Sequence, residues 1–208
     1  MDNTVGSREI LSLKQKEVLI GTLLGDATLE LNGRYPRLRI DHSLKQKSYV
    51  EWKYKIFQNL TTRKMKYLSR LDSIRMKRYH HCKFDTISIP LLSEYYTKFY
   101  PNRQKQIPKD IVRILKSPLS LAVWYMDDGY KRNDCNALRI NTDSFSFKEQ
   151  ELLVRCLKQN FMIGSKLHRK GKFWNIYIPS LNSEAKKFCR IVKPYIIPEM
   201  EYKISLTP

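Results

Sequence analysis

The run Ser117-Pro118-Leu119-Ser120-Leu121-Ala122-Val123-Trp124-Tyr125-Met126-Asp127-Asp128-Gly129 closes an almost wholly apolar segment on two carboxylates. Its ends carry helix signals. Ser117 can cap the N-terminus, Pro118 fits the first helical position, where its missing N–H costs nothing, and Gly129 supplies the left-handed residue that commonly ends a helix. Acids are disfavoured at a helix C-terminus because the aligned peptide dipoles already place negative charge there. Asp127 and Asp128 therefore weaken that end unless a cation sits on it. A second segment, Leu13 to Ala27, has the same design: Ser12 and Gln15 form a capping-box pattern at its start, and it stops at Asp26. Aligning Leu19–Ala27 with Leu121–Gly129 sets Asp26 opposite Asp128. Gly21 and Gly25, one turn apart, permit close approach of another helix, and parallel packing of the two helices would bring their last carboxylates together.

Carboxylates about 4 Å apart repel by roughly 1 kcal/mol in water and about 4 kcal/mol at an effective dielectric near 20. Without a cation one of the pair is driven neutral. Oxygen ligands with few nitrogen or sulfur neighbours suit Mg²⁺, with water and a scissile phosphate completing the shell. The chemistry of such a centre is activation of water and stabilisation of both oxygens in a phosphodiester displacement.

The composition agrees with that substrate. Among 208 residues stand 39 Lys and Arg against 20 Asp and Glu, a formal charge of +19, and the pI is near 9.8. That excess points to a polyanion. A hydrophobic content of 42 % with 12 % aromatic supports a core and excludes a disordered tail. Cys82, Cys135, Cys156 and Cys189 form no C-x-x-C pair, so they read as reduced, structural residues of an intracellular protein. His80-His81-Cys82 lacks a second ligand pair at zinc-finger spacing. The N-terminus has neither a signal core nor an Arg-rich transit pattern, and no apolar run approaches a membrane span.

The elements that must position the acids follow in order. Thr28-Leu29-Glu30-Leu31 reads as a strand, Asn32-Gly33 as a hairpin turn and Arg37-Leu38-Arg39-Ile40-Asp41 as the return strand, its charged residues on one face. Ser43 with Gln46 reads as a capping box opening a helix to about Leu60, with Tyr49, Val50, Ile56, Phe57 and Leu60 on its apolar face. Residues 63–89 form a longer basic hairpin anchored by Phe84, Ile87 and Ile89, and a helix spans about Leu91 to Tyr100. The order then repeats: the helix to Asp128, a hairpin near Lys131 to Asn136, a strand Ala137 to Asn141, a helix capped by Ser146 and Glu149, a basic hairpin Lys166 to Pro179 turning at Lys170-Gly171, and a last helix from about Leu181 to Val192. Arg39-Ile40-Asp41-His42 is answered by Arg139-Ile140-Asn141-Thr142, a spacing of 100 (139 − 39), close to the 102 (128 − 26) between the acids. Ile89-Pro90 and Ile107-Pro108 are answered by Ile178-Pro179 and Ile197-Pro198.

The pattern is α+β: a duplicated αββαββα unit, with a tail at 1–10, a first half at 11–100, a polar Pro-punctuated linker at 101–116 and a second half at 117–208. Each half is small for independent stability, so the economical arrangement packs the two through their Asp-terminated helices about a pseudo-twofold axis. Twisted antiparallel ribbons fit the major groove of double-stranded DNA. The candidate contacts are Arg34, Arg37, Arg39, Lys64, Lys66, Arg70, Arg75 and Lys77 in the first half, and Lys131, Arg132, Arg139, Lys166, His168, Lys170 and Lys172 in the second. Most would position the protein on phosphate, and a minority would read base edges.

Leu19–Ala27 and Leu121–Gly129 resemble the paired motifs of monomeric LAGLIDADG homing endonucleases. The second half, from Ser117 through Asn141-Thr142-Asp143-Ser144-Phe145 to Pro198-Glu199-Met200-Glu201-Tyr202-Lys203, is similar to the branch typified by the yeast mitochondrial omega-intron enzyme. The resemblance implies a saddle-shaped, monomeric α+β protein that grips a long DNA site and cuts both strands to short 3′ overhangs. It implies Mg²⁺ as cofactor, with Mn²⁺ an alternative and Ca²⁺ binding without supporting cleavage. By the same resemblance Asp26 and Asp128 match the metal-binding acids, and the carbonyls of Gly25 and Asp127 match positions that add ligands. Lys105 and Lys203 match lysines that order water and stabilise phosphate, and Asp41 and Asn141 occupy the matching polar strand positions. Asp41 is a departure, since an amide is more usual there, and Ala27 replaces the motif's final glycine. The resemblance suits an organelle-encoded intron product, with an RNA maturase acting on its host intron RNA as the alternative.

Overall fold

A computed structural model describes residues 10–206, apart from the side chain of Lys170. Residues 1–9, most of the expected tail, lie outside the described residues. The elements run α1 (Leu13–Leu24), β1 (Thr28–Asn32), β2 (Tyr35–Ser43), α2 (Lys47–Phe57), β3 (Lys66–Asp72), β4 (Lys77–Asp85), α3 (Ser93–Phe99), α4 (Ile111–Ile114), α5 (Pro118–Asp128), β5 (Gly129–Lys131), β6 (Leu138–Ile140), α6 (Phe147–Phe161), β7 (Lys166–Lys170), β8 (Phe173–Ile178) and α7 (Glu184–Val192). This is the duplicated αββαββα order, with the short α4 added between the repeats. No helix among the described residues is long and apolar enough to cross a membrane. The chain divides into two compact units: one holds residues up to Lys16 with Asp26–Thr97, and the other holds Glu17–Gly25 with Lys98 onward.

The first unit is built on an antiparallel sheet of order β1-β2-β4-β3. Alternation along β2 turns Leu38, Ile40 and His42 inward and leaves Arg37, Arg39 and Asp41 on the other face. Helix α2 covers the inner face with Tyr49, Val50 and Phe57, all fully buried, and the Tyr54 ring meets Phe84 edge-on at 5.4 Å. Each such side chain contributes about 1.5–3 kcal/mol through burial. Asn32 pairs with Tyr35, so the first hairpin turns at Gly33-Arg34, one residue later than the sequence suggested, with Gly33 at φ +75°. At the far tip of β3-β4, Asp72 Oδ1 accepts from the backbone N–H groups of Ile74 and Arg75, both at 3.0 Å, which closes that turn. The capping box expected at Ser43 does not form. Ser43 accepts from Lys45 N over a 3₁₀ turn, and the Gln46 amide turns instead to the ring of His42. Ile87, expected as an anchor, is half-buried.

The second unit repeats the sheet as β5-β6-β8-β7. Ser146 and Glu149 form the expected reciprocal capping box of α6. Within residues 101–116, the expected linker, Ile107, Ile111 and Leu115 are buried, and Asn160 Nδ2 of α6 donates to the carbonyls of Val112 and Leu115, both at 2.7 Å. The second hairpin turns at Gly171-Lys172, with Gly171 at φ +61°. Helix α5 is buried from Leu119 to Asp127, and its Tyr125 ring meets Phe188 of α7 at 4.9 Å. Gly129 is extended (φ −81°, ψ 150°), not left-handed, and opens β5 directly. Glycine is required there for space, since a Cβ would fall 2.1 Å from the Tyr125 ring. All four cysteines are free thiols, and burial pushes Cys156 up to about 12 and Cys189 up to about 11.

Candidate active site

Residues 17–24 of α1, the following Gly25 and all of α5 lie in the second unit, and there the two motif helices pack against each other. Ser120 Oγ donates to the carbonyl of Glu17 at 2.7 Å. A Cβ on Gly21 would lie 2.4 Å from Ser120 O and 2.7 Å from Val123 Cβ, and one on Gly25 would lie 2.4 Å from Asp127 Cβ. These contacts advance along both chains in the same direction, so the helices run parallel and their C-terminal ends coincide. The two glycines are what allow it: any side chain would force the backbones apart. Between the helices Thr22 Oγ1 donates to Asp127 Oδ2 at 3.0 Å, inside the core. Of the two acids ending α5, Asp127 is thus buried in the helix contact, and Asp128, the next residue, is half-buried. Asp26 follows Gly25 and is exposed, its side chain 43 % accessible.

Each helix end carries a lysine. Lys105 Nζ donates to the carbonyl of Gly25 at 2.5 Å. Lys203, itself buried, donates to the carbonyl of Met126 and lies 3.4 Å from that of Asp127. Tyr125 OH donates to the carbonyl of Lys203 at 2.8 Å, tying the Pro198–Lys203 turn to the helix it serves. An ammonium on terminal carbonyls offsets the negative end of each helix dipole. It also tests the fit of a metal. The donors here are carboxylate and carbonyl oxygens, and two of those carbonyls already hold a cationic group. Oxygen donors of this kind suit a hard divalent cation.

Within the first unit, Asp26 Oδ2 lies 3.5 Å from Nδ1 of His42. Asp41 Oδ1 lies 3.3 Å from Nδ1 of His81, on the outer face of the same sheet. In the second unit the N–H of Asn141 donates to the carbonyl of Asp128 at 3.0 Å, so Asn141 is tied directly to the motif acid's backbone.

The basic residues fall into two groups. Arg34, Lys64, Lys66, Arg70, Arg75, Lys77, Lys166, His168 and Lys172 are exposed on the strands and turns of the two sheets. Arg34, Lys77, Lys166 and Lys172 each lie 5.2–5.8 Å from an aromatic ring centroid. Others are engaged with their own chain. Arg37 pairs with Glu30 at 2.8 Å, and Arg39 reaches both Glu30 at 3.3 Å and Asp85 at 3.2 Å. Lys131 donates to the carbonyl of Ser205 at 2.8 Å, and Arg132 pairs with Asp134, holding that carboxyl down to about 2. Arg139, also a candidate contact, is 9 % accessible and hydrogen-bonds His168 Nδ1 at 2.8 Å. Leu138, Arg139 and Ile140 are all buried because β6 is an inner strand between β5 and β8. The side chain of Lys170 lies outside the described residues.

Sequence reasoning missed four residues. Thr22 and His42 adjoin residues it had singled out. Lys53 is fully buried at the i+4 position between Tyr49 and Phe57, a spacing that marked it as lying on the buried stripe. Asn175 is fully buried on β8, its amide without a hydrogen-bond partner, beside His168 in the strand register.

The family model described as the LAGLIDADG DNA endonuclease family matches residues 16–188. A probable intron-encoded endonuclease 1 of Wickerhamomyces canadensis is 31 % identical over 206 residues, covering 93 % of this chain and 85 % of that one. A cytochrome b mRNA maturase bI2 of Debaryomyces hansenii is 30 % identical over 202 residues, covering 94 % and 75 %. Among solved structures, the homing endonuclease I-WcaI bound to its DNA recognition sequence matches with a TM-score of 0.88 at 28 % identity, covering 96 % of this chain and 89 % of that one. With both motif helices packed in register and an acid at or just past the end of each, the chain belongs to the LAGLIDADG DNA endonuclease family.

Proposed function

We propose that this protein is a site-specific, intron-encoded homing endonuclease. As a monomer it binds a long double-stranded DNA target through its two basic sheets and breaks both strands, leaving short 3′ overhangs. The observation that carries the reading is the parallel packing of α1 and α5 over Gly21 and Gly25, which supports a shared role for the acids that end those helices. Asp26 and Asp128 would hold Mg²⁺, aided by the carbonyls of Gly25 and Asp127. When bound, the metal lowers the pKa of a coordinated water and neutralises charge on the oxygens of the displacement. The chain's own residues do the rest. Lys105 and Lys203 place positive charge beside the reacting phosphate, Asp41 and Asn141 order water near it, and the exposed basic residues fix the duplex in register. Hydrolysis adds water to phosphorus and releases one ester oxygen of the backbone. The similarity to a cytochrome b mRNA maturase supports placing the coding intron in an organelle genome.

Selection of cleaved sites from a randomised DNA pool in the presence of Mg²⁺ tests the proposal. The expected result is one preferred site and a double-strand break. Asp128→Asn should lose the break while binding persists. The similarity to a protein named as an mRNA maturase supports a second reading, in which the chain assists splicing of its host intron RNA. Uncut DNA together with accelerated intron splicing would favour that reading.

A further inference from the structure

His42 faces inward from β2, only 4 % exposed, with polar groups on both ring nitrogens. Nε2 lies 3.3 Å from the ammonium of Lys53, and Nδ1 lies 2.8 Å from Gln46 Oε1 and 3.5 Å from Asp26 Oδ2. Lys53 is fully buried, its ammonium 4.1 Å from the centroid of the Tyr49 ring, which also meets the imidazole edge-on at 5.6 Å. An ammonium has no lone pair and can only donate, so Nε2 accepts and the ring proton sits on Nδ1. That proton goes to Gln46 Oε1 at 2.8 Å, and Asp26 Oδ2 stands 3.5 Å from the same nitrogen. A buried lysine thus settles which nitrogen of the histidine carries the hydrogen, and places that N–H on the ring edge nearest the motif acid.

The second half lacks this device. At the repeat spacing of 100, Thr142 replaces His42, and its hydroxyl is spent on Gln150 Oε1 at 2.8 Å, with both residues buried. Matching the capping serines, Ser43 with Ser146, places Cys156 ten residues on, where Lys53 stands ten residues after Ser43. The repeat is symmetric in backbone and asymmetric here.

We propose that His42 is a positioning residue for Asp26, with Lys53 holding its tautomer, and that the two motif acids are therefore oriented by different means. The inference rests on the reading of Asp26 as a metal-binding acid. Groups that hydrogen-bond a metal-binding carboxylate set its direction, and their loss costs about ten- to a hundredfold in metal affinity or activity. One DNA strand should then depend on His42 more than the other.

The test uses the full chain on its selected DNA site with two readouts. Mn²⁺ is titrated into the protein bound to a non-cleavable duplex and followed by electron paramagnetic resonance. Nicking of each strand is timed separately on an end-labelled duplex with Mg²⁺. His42→Asn can set an amide N–H near the place of Nδ1–H, whereas His42→Gln sets its amide near Nε2. Asn is expected to retain Mn²⁺ affinity and balanced strand rates. Gln and Leu at position 42 are expected to weaken Mn²⁺ binding by about tenfold or more and to slow one strand selectively. Lys53→Met should act in the same direction. Folding is checked by the melting transition of each variant. Equal behaviour of the Asn and Gln variants, or equal slowing of both strands with unchanged Mn²⁺ affinity, overturns the proposal. Asp26→Asn separates the two levels: if it still cuts and binds Mn²⁺ normally, the reading of Asp26 fails. If it is inactive while every His42 variant is normal, only the role of His42 fails.

Discussion

Lys105 donates to the carbonyl of Gly25, 80 positions earlier in the chain, and Lys203 donates to that of Met126, 77 positions earlier. Both lysines thus reach the C-terminal end of a motif helix, where the dipole is negative and the chain adds an acid. The pairing explains how such ends tolerate Asp26 and Asp128: each carries its own cation before any metal arrives.

If these lysines also serve the phosphate, Lys105→Met and Lys203→Met should slow single-turnover cleavage on the order of a hundredfold, the range for losing one charge-stabilising group. DNA affinity, measured by fluorescence anisotropy without cleavage, should change far less. An equal loss in rate and affinity would make them phosphate anchors.

Gly21→Ala should destabilise by about 1–3 kcal/mol or more, the cost of forcing extra volume into a packed contact. The obstacle is the backbone oxygen of Ser120, 2.4 Å from the new Cβ, which cannot rotate away. Gly33→Ala should cost less, about 1 kcal/mol, because only its φ of +75° opposes the side chain and nothing stands within 4 Å. Urea unfolding of the two variants ranks them directly.

Binding should weaken steeply with salt, since each phosphate contact releases counterions. Lys66→Ala or Arg70→Ala should each reduce the slope of log K against log salt by about 1. Arg37→Ala should reduce it less, because Arg37 is already paired with Glu30 at 2.8 Å. The same hydrogen bond from Arg37 holds the Glu30 carboxyl below its usual range. Filter binding over a salt series compares them.

Alkaline pH should unfold the protein partly through Cys156. Burial raises this thiol from 9.0 to about 12, so the unfolded chain gives up its proton first. The contribution is complete below pH 9 and is lost as pH climbs toward 12, at up to about 1.4 kcal/mol per pH unit. Denaturant midpoints between pH 8 and 11 should fall for the parent protein and fall less for Cys156→Ala.

Much of this architecture is local and therefore readable along the chain. Ser12 with Gln15, Ser117 with Pro118, and Ser146 with Glu149 mark helix starts because capping involves residues within one turn. The alternation of Arg37, Leu38, Arg39 and Ile40 assigns faces because successive strand residues point to opposite sides. The glycine spacing of α1 announced a close helix contact, and the 100-residue repeat announced two copies of one sheet.

Contacts between distant segments obey no such local period. Gln46 has capping spacing from Ser43, yet its amide goes to His42, a competition that sequence distance cannot rank. Gly129 looked like a left-handed cap, but the ring of Tyr125 leaves room only for glycine in an extended backbone. The burial of Lys53 against Tyr49 and His42, the burial of Arg139 on an inner strand and the division of labour between Asp127 and Asp128 all depend on packing across the fold. Local patterning specifies which elements form and which face each presents. The direction of a single proton or carboxylate is settled by neighbours that only folding brings near.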